Sequence, residues 1–297
     1  MRNWFGRSVL AGAAAMATAV VFVSLATPSA RQSQSSAYQA PRLVGTTHPD
    51  LSGLWQAFTT ANWDIQDHSA QPGPFPNLVG AWGAQPEGQG IVEGNEIPYK
   101  PEALAKKKAN FAKRLTVDPI DVHTVGDPEA KCYAPGVPRG MYLPYPFQIL
   151  QTPSKISMVF GYSNASRVIQ LENHQEAPID LWMGWSNGHW EGDTLVVDVT
   201  GLNGLAWLDR AGNFMSDAAH VVERYTPSSP NHIMYEATIE DSNVFTRPWK
   251  MSFPLYRRLE KNVQLAEFKC VKFVESYIYG TLAKKRLPRP PPRPASK

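Results

Sequence analysis

The segment Gly188-His189-Trp190-Glu191-Gly192-Asp193-Thr194-Leu195-Val196-Val197-Asp198 limits the fold more than any other stretch of the chain. A tight Glu-Gly-Asp turn follows a Trp and precedes an alternating run rich in β-branched residues, which predicts a β-hairpin. Strand-sized segments recur on both sides of it at roughly ten-residue spacing, with turn residues between them. They cover 147–151, 155–160, 167–171, 180–185, 194–199, 220–225, 233–239, 249–256 and 263–271. Ile233, Tyr235, Ala237 and Ile239 alternate with Met234, Glu236 and Thr238, the period of a half-buried strand. This pattern predicts a mainly β domain, built as an antiparallel sandwich or barrel. No internal repeat is present.

The amino terminus sets the compartment. Arg2 and Arg7 precede an apolar, alanine-rich stretch from Ser8 to Leu25, followed by small residues at Ala26 and Ala30. This reads as a Sec-type signal peptide over 1–30, cut after Ala26 or Ala30, and it predicts a soluble periplasmic or secreted product. Removal leaves about 270 of the 297 residues, with no second long apolar run and therefore no stable membrane insertion expected. The chain has a net charge of +3. The two signal arginines and the six bases of the tail (Lys284, Lys285, Arg286, Arg289, Arg293 and Lys297) set aside, the remainder is net −5. A mildly acidic body argues against nucleic acid as a partner. Cys132 and Cys270 are the only cysteines, and in an exported chain they predict a disulfide closing 138 steps of chain.

The expected layout is a flexible linker over 31–47, one β-rich domain over 48–282 and a basic, Pro-rich extension over 283–297. Regular structure is expected to begin at 49–55. Residues 70–98, dense in Gly and Pro, read as a long irregular loop. Pro101 opens a helix through Leu115, with Leu104, Phe111 and Leu115 on its apolar face and Lys106, Lys107 and Lys113 solvated. A second amphipathic helix is expected over 272–282. Oligomeric state is not set by the sequence.

Several motifs together resemble an uncharacterised family of exported bacterial proteins. Its pattern W-x-G-x-S-x-G-x-W-E-G-D-T-L-V-V-D is matched by Trp182 to Asp198, and W-x-D-x-x-G by Trp207 to Gly212. H-V-x-E-R is matched by His220 to Arg224, Y-x-x-T-I-x-D by Tyr235 to Asp241, and T-x-P-W by Thr246 to Trp249. The resemblance runs along nearly the whole mature chain, implies export, and assigns no activity. Ser242 stands where the pattern has Pro, and Met215 where it has His. Were that His catalytic, Met215 would remove the chemistry. Gly53-Leu54-Trp55 also resembles the Gly-x-Trp opening of lipocalin-type barrels. That likeness implies a lipocalin-like barrel of about eight strands with flanking helices, whose interior holds side chains or one small ligand.

The chemistry-bearing residues suggest a small-molecule ligand, largely apolar and of aromatic or terpenoid type, handled without a cofactor. His220, with Glu223, Asp209 and Arg210, is the leading acid–base set, since a His oriented by a carboxylate can move a proton near neutral pH. On a regular strand His220, Val222 and Arg224 share one face and Glu223 the other, so Asp209 or Glu236 is a freer partner for His220. Trp185, Trp207, His189, Tyr235, Glu236, Arg247 and Trp249 are the candidate ligand contacts, because ligand sites are mostly apolar with a few aimed polar groups. The alternatives are a non-catalytic envelope binding or assembly module, and a metal enzyme using His174, His189 and His220 with Glu176 or Asp193. Nucleophile elbows, phosphate loops and dinucleotide fingerprints are absent.

Overall fold

A computed structural model describes residues 38–72, 84–113, 126–266, 268 and 270. The expected signal peptide, the basic tail and the expected 272–282 helix lie outside them. The strands are β1 (Gly53–Ala57), β2 (Gln71–Pro72), β3 (Ala84–Gln85), β4 (Phe147–Gln151), β5 (Lys155–Phe160) and β6 (Ser166–Gln170). After these come β7 (Trp185–Glu191), β8 (Thr194–Thr200), β9 (His220–Ser229), β10 (His232–Glu240) and β11 (Trp249–Arg257). Nine of them close into a barrel in the order β1-β11-β10-β9-β8-β7-β6-β5-β4, and β2 pairs with β3 alone. The mainly β expectation holds, with nine strands in place of about eight. One α-helix, α1 (Pro101–Lys113), is present among the described residues, where flanking helices were expected.

An odd number of strands cannot close with every pair antiparallel, so one pair must break the alternation. That pair is β6 and β7, which run parallel with Ile169 opposite Ser186. A parallel return needs a dozen or more residues of crossover, and 171–184 supplies it. All of the expected strand at 180–185 except Trp185, which opens β7, falls in this crossover; Gly184 turns the chain there with φ +61°, and only Leu181 makes a bridge, to Leu202. The β7–β8 hairpin is as expected. Glu191 faces Thr194 across the two-residue turn Gly192-Asp193, and Gly192 alone takes a positive φ, +59°, the signature of a type II′ turn. The expected strand at 263–271 is absent from its described residues, which lead instead to the disulfide.

The barrel seam between β1 and β11 is short. Pairing runs from Trp55 opposite Arg257 to Ala57 opposite Leu255 and stops. The N–H of Arg257 bonds Asn231 on the β10 side, whereas that of Ser252 bonds Ile91 on the other side. By this alternation the next N–H owed to β1 belongs to position 254, which is Pro and has none. The strands therefore diverge, leaving an open groove of about 710 Å³ between Phe58, Thr59, Thr60, Gln89, Pro144 and Phe253.

Beneath the loops lies a polar core. Arg139 is buried and bidentate to Asp127 (2.6 and 2.8 Å), with Asn62 Oδ1 accepting two further bonds. Arg210 forks onto Glu129 at 2.9 and 3.0 Å. Close by, Cys132 and Cys270 are bridged as expected, their Cα atoms 5.7 Å apart. Helix α1 buries Ala103 and Asn110 rather than Leu104 and Phe111, which stay 39% and 36% exposed. The reason is Gly212: a Cβ there would sit 2.9 Å from the helix backbone, so the loop abuts α1 on the Asn110 side. Lys106 is exposed as expected, and its ammonium lies 4.3 Å from the centre of the Phe214 ring. Among the described residues no helix is long and apolar enough to cross a membrane.

Candidate functional site

Alternation along β9 turns Val221, Glu223 and Tyr225 inward, each fully buried. Their register neighbours on β10 are Ile239, Ala237 and Tyr235. Both tyrosine hydroxyls donate to Glu223 Oε1, Tyr225 at 2.9 Å and Tyr235 at 2.8 Å. Arg167, inward on β6, reaches across to them. Its Nη2 donates to the Tyr225 hydroxyl at 2.7 Å and lies 2.7 Å from Glu223 Oε2. Oε2 makes no directed hydrogen bond, so that last contact is an ion pair. Residues flanking Glu223 within its row are small: Val197 on β8, Gly188 beyond it and Ala237 on β10. The thioethers of Met141 and Met158 come within 3.6 and 4.0 Å of the Tyr225 hydroxyl.

Electrostatics hold this cluster in a defined state. Burial and the neighbouring carboxylate push both phenols well above their ordinary range, so they remain donors. Burial is the largest single influence on the Arg167 guanidinium and lowers its proton affinity, but Glu223, through its charge and close approach, together with the two phenols outweighs it and the net shift is upward. Two guanidinium nitrogens of Arg167, Nε and Nη1, are buried without any partner. Buried donors are rarely left so, and this pair faces the barrel interior. An ion pair with unspent donors, two phenols and flexible thioethers is equipped to receive a polar atom and exchange a proton with it.

Of the residues singled out from sequence, the fold brings Glu223 and Tyr235 together at this site. His220 is on the outer face, its Nε2 3.2 Å from Asp198. His189 faces outward beside Glu191, as does Glu236 beside Lys250. Arg247 is exposed, 3.9 Å from Glu96. Trp185 is half-buried on the outer face, while Trp249 is buried inward; the indole N–H of each lacks a partner. Trp207 is buried and its carbonyl accepts from Arg139. His174 bonds the Gly188 carbonyl and Asp193 pairs with Arg42, so the metal set is dispersed. Among the described residues no three His, Cys, Asp or Glu side chains could share a metal ion. Met215 is buried and Ser242 exposed.

Asp209 and Arg210 belong to the separate polar core. Asp209 is fully buried and accepts from the Ile65 and Asn213 N–H groups and from Asn213 Nδ2. Burial and the charge of Asp64 nevertheless raise its carboxyl to about 7. Arg167, Tyr225, Asp64 and Arg139 were not singled out from sequence. The available signal for Arg167 was its inward phase with Ile169, since an Arg in step with a core Ile on a short strand must find a partner inside.

Comparison with protein-family models, with curated proteins and with solved structures returned no match.

Proposed function

We propose that this protein binds a small, largely apolar molecule inside a lipocalin-like barrel of the bacterial envelope and moves a proton on it. The observation that carries the reading is the buried Arg167–Glu223–Tyr225–Tyr235 cluster with two unspent Arg167 donors. The walls around it are aliphatic and aromatic, as ligand sites require. Glu223 Oε2 is the proton acceptor in this scheme, and the Arg167 donors steady the negative charge that develops on the ligand. Such chemistry is complete with side chains alone, and isomerisation or elimination both follow from it.

Approach is through the groove at the split seam. Phe253 lines that groove and its ring lies 4.9 Å from that of Tyr235, so one aromatic side chain separates groove from cluster. The methionines inside are deformable fillers that can yield to a ligand. The export signal read at the amino terminus supports an envelope location, where a disulfide persists.

The test is native mass spectrometry of protein purified from a periplasm, with solvent extraction of whatever is released. A discrete organic mass is expected, and it is expected to be lost from the Arg167→Met/Glu223→Leu variant, which replaces the cluster with apolar groups. Turnover of the released compound by wild type but not by Glu223→Gln establishes the proton transfer. Retention of the mass by the double variant places the ligand elsewhere and sinks the proposal; binding without turnover leaves a carrier.

A further inference from the structure

Ser186 is buried on the inner face of β7 and its hydroxyl has no partner. Register places it beside Ile169 of β6, two residues from Arg167 on the same inner face. It heads the row Ser186, Val199, Val221, Ile239 and Trp249, all inward. At the far end of that row the Trp249 indole N–H is likewise buried and unpartnered. The row lies two residues, about 7 Å along the strands, from the Glu223 row. Arg167 reaches the Glu223 carboxylate across the barrel interior.

The inner wall thus offers four uncommitted donor groups: Arg167 Nε and Nη1, Ser186 Oγ and Trp249 Nε1. Against them stand few acceptors, namely Glu223 Oε2 and the Ser186 oxygen itself. A ligand that completes this wall must accept hydrogen bonds. It must also be uncharged, because Arg167 is already neutralised by Glu223 and a second buried anion would have no counter-charge. Several neutral oxygens accept hydrogen bonds, and of these a carbonyl also acidifies the C–H beside it, which gives Glu223 Oε2 a proton to take.

Building on the proposed barrel-binding function, we infer that the substrate is a neutral, enolisable carbonyl compound and that Ser186 is a specificity-determining residue that donates to its oxygen. The step balances without a co-reactant. Glu223 Oε2 takes a proton from the carbon next to the carbonyl, the C–H electron pair forms the C=C bond, and the carbonyl π pair moves onto oxygen. The resulting enolate oxygen is held by Ser186 and Arg167. Return of the proton from Glu223 to carbon completes an isomerisation or an exchange.

The experiment uses three probes of one size, acetophenone, benzoate and ethylbenzene, titrated calorimetrically into the wild type and Ser186→Ala. Acetophenone is expected to bind at least about tenfold more tightly than either of the others. Loss of one neutral hydrogen bond is expected to weaken acetophenone about three- to tenfold in Ser186→Ala, while ethylbenzene is unaffected. In D2O, NMR is expected to show protein-catalysed loss of the acetophenone methyl protons, slowed in Ser186→Ala and abolished in Glu223→Gln. The melting temperature of Ser186→Ala should not fall, since an unpartnered hydroxyl is removed. Preferential binding of benzoate, or equal loss of all probes in Ser186→Ala, overturns the carbonyl assignment and leaves barrel binding standing. Binding of none of the three, ethylbenzene included, overturns the barrel-binding function and this inference with it.

Discussion

At the scale of single residues, the ion pair inside the barrel sets the largest energies. Glu223→Gln strands the Arg167 charge in the interior, and removing one partner of a buried pair costs about 3–5 kcal/mol. We expect the urea midpoint to fall accordingly with little change in slope. Arg167→Met/Glu223→Leu removes both charges and should recover most of that loss or exceed wild type, as apolar replacement of buried pairs often does. Tyr225→Phe should cost more than Tyr235→Phe, about 2 against about 1 kcal/mol. The Tyr225 hydroxyl both donates to Glu223 and accepts from Arg167, whereas that of Tyr235 only donates. Equal destabilisation by the two variants would contradict the network. Glu223 and Tyr235 were legible in the sequence because the strand period puts them on identifiable faces. Arg167 was not, because its partners belong to a strand that only barrel closure brings across from it. The separation of His220 from Glu223, by contrast, was readable from strand alternation, but Asp209 and Glu236, the freer partners the sequence offered, lie elsewhere, and His220 pairs with Asp198 instead.

At the scale of elements, the β7–β8 hairpin was readable since turn and strand chemistry are local, and the 171–184 crossover was not, since nothing local distinguishes a parallel return from a loop. The polar core shows a similar division. Asp209 and Arg210 stood out as charged residues in a turn, but their loop is held by backbone groups from elsewhere, above all the Ile65 N–H. This junction carries a pH dependence. The Asp209 carboxyl sits at about 7 in the folded protein and near 3.9 unfolded, so the folded state holds the proton more tightly. Stability from this group is therefore full below about pH 4, declines as pH rises towards 7, and is lost above it. The shift, already net of the three N–H groups that favour the ionised form, corresponds to an upper figure of about 4 kcal/mol. Urea unfolding is expected to show a higher midpoint at pH 5 than at pH 8, with the difference shrinking in Asp209→Asn. A wild-type midpoint that is flat or rises over that interval would show that the N–H groups outweigh burial and Asp64.

At the scale of the whole molecule, the strand pattern announced a mainly β sandwich or barrel, while closure, strand number and the one parallel pair depended on pairings made only when the ends meet. Closure across β1 and β11 rests on three residue pairs, and Pro254 prevents more. A barrel so briefly sealed gains from a restraint elsewhere, and the Cys132–Cys270 bridge supplies one spanning 138 residues. It joins the segment that carries Asp127, Glu129 and Arg139 to the chain beyond β11, so it anchors the polar core from a distant part of the sequence. Chain entropy for a loop of that length gives about 5 kcal/mol as the most the bridge contributes, with the effect exerted on the unfolded state. Cys132→Ser/Cys270→Ser is therefore expected to unfold at clearly lower urea than the oxidised protein. Its denaturant slope should also be steeper, because an unbridged unfolded chain exposes more surface. Either single substitution should destabilise as much as both together, since the restraint vanishes with the first sulfur. If the double variant instead unfolds at the oxidised midpoint, the seam and the polar core hold the barrel without covalent help.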